Sequence, residues 1–137
     1  MTAPATTTNL LAMPLVAMQV VTGTNEDWID AVKFVVDDLS GDPDSYPQLD
    51  LTGIRFTMEV RRRPPDIEVV LRASTDDGTL SVGEAPNFGF LIINIDHEQV
   101  EMVRAGTFAA DIVGEDDVTK RRVITMNLEI VQGVTRQ

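Results

Sequence analysis

Cysteine is absent from this 137-residue chain, which excludes disulfides, thiolate zinc sites and cysteine nucleophiles together. Histidine occurs once, as His97, so any Ser-His-Asp arrangement would rest on that residue alone. Basic residues are scarce: 11 Lys and Arg stand against 22 Asp and Glu, a formal charge of −11. Such a field repels phosphate backbones, and no nucleic-acid partner is expected. The sequence also lacks GxGxxG, GxxxxGK and HExxH patterns, leaving no nucleotide or zinc reading to pursue and no cofactor to expect. Its longest apolar stretch, Leu10–Val21, is interrupted by Pro14 and Gln19 and is too short to span a bilayer. Met1–Asn9 has no Lys or Arg, so it is not the basic start of a secretory signal. Synthesis in the cytoplasm with no membrane partner is the expectation.

What is present is alternation. Ile54, Phe56, Met58 and Val60 alternate with Arg55, Thr57, Glu59 and Arg61, the period-two pattern of a strand with one wet face. After the turn Arg63-Pro64-Pro65-Asp66 the pattern continues through Ile67, Val69, Leu71 and Ala73, predicting an antiparallel neighbour. Further strands are expected at Leu15–Val21, Trp28–Val36, Thr79–Val82, Thr107–Val113 and Arg121–Val131. Phe90–Ile95 is nearly all apolar and reads as a strand buried on both faces. Asp96 is placed to cap one helical turn, His97–Val103, with Val100 and Val103 inward. Seven or eight short strands with one helical turn predict an all-β antiparallel sandwich. Residues 14–137 form that single domain, and 1–13, opening on a Thr- and Ala-rich stretch, form a flexible arm.

Few residues suggest chemistry. Asp37, Asp38, Asp42 and Asp44 share one loop and are the candidates for calcium, which takes several carboxylates. They lack the order of a calcium-binding loop, and turn-forming aspartates account for them, as for Asp76-Asp77 and Glu115-Asp116-Asp117. The basic groups Arg61-Arg62-Arg63 and Lys120-Arg121-Arg122 sit at strand ends without interleaved aromatics; pairing with acidic loops, within the chain or across an interface, is expected of them. Trp28 reads as a core or rim aromatic. Leu10, Leu11 and Met13 in the arm are candidates to order against a neighbouring subunit by adding a strand to an open edge.

One pattern carries a resemblance. Leu49-Asp50-Leu51-Thr52-Gly53-Ile54-Arg55-Phe56 is similar to the "DLTG" strand opening of small phage virion proteins. It is followed by Met58-Glu59-Val60-Arg61, Asp77-Gly78-Thr79-Leu80, Phe90-Leu91-Ile92-Ile93, Val103–Ile112 and Gly133-Val134-Thr135-Arg136. The order of these pieces resembles the immunoglobulin-like domain at the start of phage baseplate upper proteins and tail-fibre adaptor proteins, over about Thr24 to Arg136. The resemblance implies an immunoglobulin-like sandwich with Phe108, a Tyr in many relatives, in the core. It implies a non-enzymatic virion structural protein of the tail, baseplate or fibre-attachment region, present in several copies and partnered by itself and other virion proteins. A capsid decoration or head-spike protein is the alternative within that class. A calcium- or carbohydrate-binding receptor-recognition module is the alternative outside it.

Overall fold

The computed structural model describes residues 9–36 and 38–135. The first eight residues of the expected arm, Asp37 and Arg136 lie outside that set. Among the described residues there are eight strands and one short helix. They are β1 (Val16–Gly23), β2 (Trp28–Lys33), β3 (Arg55–Arg61), β4 (Leu71–Ser74), β5 (Leu80–Val82), β6 (Phe90–Ile95), α1 (His97–Val103), β7 (Gly106–Glu115) and β8 (Lys120–Val131).

Two sheets face each other. One has the order β1-β8-β7-β3-β4, the other β2-β6-β5. In immunoglobulin terms β2-β6-β5 take the B-E-D positions, and β8-β7-β3-β4 form the opposing sheet with one added strand. The chain is an immunoglobulin-like β-sandwich. One pairing departs from the antiparallel expectation: β1 runs parallel to β8, from Val16 opposite Ile124 to Gly23 opposite Val131. The first strand has left the β2 sheet to flank the last strand, a pairing between chain ends that no local pattern announces.

The core is built by the period-two faces. Phe56, Met58 and Val60 on β3 and Phe108, Ala110 and Ile112 on β7 point inward. They meet Trp28 from β2, Leu80 from β5 and Leu91, Ile93 and Ile95 from β6. On β8 two consecutive residues, Val123 and Ile124, are both fully buried. A bulge permits it: Ile112 pairs with Ile124 but Val113 pairs with Arg122, so Val123 is the extra residue that restores inward facing.

Three expectations are corrected. Phe90–Ile95 is not buried on both faces: Phe90 and Ile92 are half-exposed and Asn94 is exposed. No described element covers the outer face of the three-stranded sheet. The Lys33 ammonium, 5.8 Å from the Phe90 ring centre, partly shields it. The alternation at Ile67 and Val69 does not make strand, and Ile67 is 94% exposed. There the Arg61 guanidinium donates to the carbonyls of Asp66 (2.7 Å) and Ile67 (2.6 Å), occupying acceptors that a ladder would need. Pairing with β3 begins only at Leu71 opposite Val60.

The third correction concerns the arm. Asn9–Ala12 is a turn of 3-10 helix, closed by the Met13 N–H donating to the Leu10 carbonyl at 3.2 Å. Leu10 and Met13 are 0% and 1% exposed, part of the domain's own core. Gly114 on β7 makes the room, since a Cβ there would come within 2.8 Å of Leu10 Cδ1. The guanidinium of Arg121 donates to the Leu11 carbonyl at 3.0 Å and pins the turn to β8. The folded unit therefore includes residues from Leu10 onward, and 14 is too late a boundary.

Candidate functional site

The loop aspartates act on their own backbone. Asp38 accepts from the Ser40 N–H (3.0 Å) and Asp42 from the Asp44 N–H (3.1 Å), while all three remain exposed. Hydrogen bonds from the hydroxyl and N–H of Ser40 hold the Asp38 carboxyl below the usual carboxylate range. Asp50 accepts from the Thr52 N–H (2.9 Å), which places Leu51 in the core and leaves Gly53 at φ 85°. That conformation strains any residue with a Cβ, so the "DLTG" opening is a tight turn that plugs one end of the sandwich. Asp77 takes the N–H and hydroxyl of Thr79. Asp116 takes the N–H groups of Val118 and Thr119. Each is a turn device.

The arginine run divides. Arg61 is half-buried and committed within the chain, to the two loop carbonyls and to Glu59 at 2.8 Å. Arg62 lies over the Phe108 ring, 5.5 Å from its centre. Arg63 is exposed, with Asp66 4.0 Å away. Arg61 is thus a clamp on the β3–β4 connection and is withdrawn as an interface candidate, as are the buried Leu10 and Met13. Of the three arm candidates Leu10, Leu11 and Met13, Leu11 alone, 67% exposed, is open to a neighbour.

Among the described residues one group of acidic and histidine side chains converges, and the sequence did not single it out. Asp27, in the turn before β2, and Asp96, the cap of α1, both face His97. Nδ1 of His97 is 2.8 Å from Asp27 and 3.1 Å from Asp96. The His97 N–H also donates to Asp27 at 2.8 Å. The bond to Asp27 chiefly, and the negative charge of Asp96, Asp27 and Glu98, raise the imidazole pKa above its ordinary value. The same bonds hold the Asp27 carboxyl low. One ligand atom from each residue lies within 4.8 Å of the others, a set of oxygen and imidazole donors that suits a zinc-like ion once the shared proton leaves. All three side chains are about half exposed. Beside them is an open depression of about 470 Å³ lined by Glu26, Glu101 and the strand-end residues Gln132 and Gly133. What this corner does in the fold is tie the β1–β2 turn to α1.

A different surface stands out by charge. No charged side chain occurs before Glu26, so β1 is neutral in a chain of charge −11. It pairs only with β8; among the described residues no strand lies on its other edge, where the last N–H, that of Gly23, donates to the Glu26 carboxylate at 3.0 Å. The other edges are guarded. β4 has four residues and carries Arg72, β5 has three, and β2 carries Asp30 and Lys33 after the acidic turn Glu26-Asp27. On β1 the outward-facing Ala17, Gln19 and Val21 are exposed, Val21 by 66%. An edge of eight uncharged residues without proline is a template for another strand. No protein-family model and no curated protein matches the chain.

Proposed function

We propose that this chain is a non-enzymatic structural component of a bacteriophage particle, held in place by protein–protein contacts in the tail, baseplate or fibre-attachment region. The observation that carries the reading is the open β1 edge, eight uncharged residues in a strongly acidic molecule whose other strand edges are short or charged. Unguarded edges are a hazard for a free protein and an asset for one that assembles. The net charge then keeps unassembled copies soluble. The order of the "DLTG" opening, the His97–Val103 turn and the Phe108 strand supplies the phage assignment by resemblance. Several copies around a symmetry axis follow, because virion parts are closed symmetric assemblies. Chemistry is left out of the reading because His97, the residue on which a triad would depend, has its Nδ1 between two exposed carboxylates and hydrogen-bonds to no hydroxyl among the described residues.

Imaging the particle that contains the chain tests this. Copies ringing the tail tip or baseplate with a neighbour's strand against β1 are the expected result. Copies on the capsid lattice or its vertices would make the chain a decoration or spike protein with the same fold. A monomer associated with no particle would overturn the reading and leave the acidic corner at His97 as the place to look for a ligand.

A further inference from the structure

We infer that the open edge of β1 is occupied by β1 of a second copy, running antiparallel across a twofold axis, so that two five-stranded sheets join into one of ten. The inference rests on the assembly reading above and names the partner that reading leaves open.

The argument is electrostatic first. Two copies of a −11 chain repel wherever acidic surfaces meet. The β1 edge is the longest strand edge without charge, and identical residues can meet there without like charges opposing one another. A twofold interface must also be self-complementary. For an antiparallel pair whose core faces lie on the same side, facing residues must come from the same face of the strand, so the axis must pass through a residue. Centred on Gln19, the pairing sets Gln19 against Gln19, Ala17 against Val21, Met18 against Val20 and Val16 against Thr22. Amide meets amide on the outer face, and the exposed Val21 meets a small apolar partner. The half-buried Val16 and Met18 lose their remaining exposure. A centre at Val20 would instead set Gln19 against Val21, an amide against an apolar side chain on the exposed face, and each register leaves Thr22 opposite an apolar residue on the inner one. Gln19 is the better axis.

Neither remaining long edge meets these conditions. The edge of β2 has an Asp and a Lys within six residues, and its outer face bears the lysine-covered Phe90 of β6. The ladder of β4 is four residues with an arginine.

Sedimentation of the full-length chain from micromolar to millimolar concentration tests the inference, with Gln19→Lys and, as a control of equal charge change on the exposed face of the other sheet, Asn94→Lys. The wild type is expected to show a concentration-dependent monomer–dimer equilibrium. Gln19→Lys, which brings two ammonium groups to the axis, weakens it about tenfold or more, and Asn94→Lys leaves it in place. Far-ultraviolet circular dichroism establishes that both variants remain folded. A wild type that is monomeric throughout, or a Gln19→Lys variant that dimerises as tightly, overturns the second copy as occupant. Particle incorporation separates this from failure of the assembly reading. A monomer whose incorporation is abolished by Gln19→Lys means that another virion protein's strand takes the edge. A monomer incorporated regardless of that charge removes β1 from assembly altogether.

Discussion

β1 and β2 are consecutive strands, each at the edge of its sheet, and the molecule treats them in opposite ways. Both are anchored inward by large apolar residues: Leu10, Met13 and Val20 hold the β1 end, Trp28 and Phe34 the β2 end. Outward they diverge. β2 carries Lys33 on its outer face and, on the face of Trp28, the half-buried Asp30, which accepts the indole N–H at 2.7 Å, so one side chain satisfies a core donor and charges the edge. β1 carries no charge at all. Inward anchoring makes a strand part of the fold, and outward charge decides whether it stays alone; the two are independent choices along a chain.

Experiments can break the comparison on either side. The largest effect is expected from Trp28→Ala, which removes the β2 anchor and leaves a cavity in the core; about 3–5 kcal/mol of stability is lost, read by denaturant unfolding. Leu10→Ala tests the β1 anchor in the same way. A loss of about 2–4 kcal/mol is expected, whereas a truly flexible arm would give a change near zero. Reversing the outward choice comes next. Asp30→Asn with Lys33→Thr strips the charge from β2 while retaining an acceptor for the indole, and light scattering should show association beyond the monomer–dimer equilibrium of the parent chain.

The smallest effect concerns the tie between the two edges, the corner where Asp27 meets His97. Its histidine pKa is raised and its aspartate pKa lowered. The histidine contribution is complete below the unfolded value of 6.5 and is lost as pH rises through the higher folded value. The aspartate contribution is complete above the unfolded 3.8 and is lost as pH falls through the lower folded value. The melting temperature of wild type should therefore exceed that of His97→Gln most between about pH 4 and 6.5. The gap should narrow on both sides of that window. A gap independent of pH would remove the charge pair from the account.

Much of this was legible in the sequence, for physical reasons that differ by element. The β3 and β7 faces obey a strict two-residue period, as does β8 from Ile124 onward, and Asp96 with Val100 and Val103 marks α1 to the residue. These are local signals. The parallel pairing of β1 with β8 joins the two ends of the chain and has none. The bulge at Val123 looks like a slip in alternation until the β7 register is known. Asp27 and His97 are 70 positions apart, so only Asp96 beside His97 hinted at that corner. Leu10 and Met13 follow Thr-rich residues that suggest an arm, and the one sequence signal of their burial is a three-residue spacing, which gives a 3-10 turn one apolar face.

Hydrogen exchange on Val16–Gly23, compared with Trp28–Lys33, tests the central claim most directly. In dilute solution the β1 amides that do not face β8, apart from that of Gly23 held by Glu26, are expected to exchange quickly. On concentration, and again in the assembled particle, they should become protected while the β2 edge is unchanged. Protection that never appears on β1, or appears on β2 instead, would contradict the account.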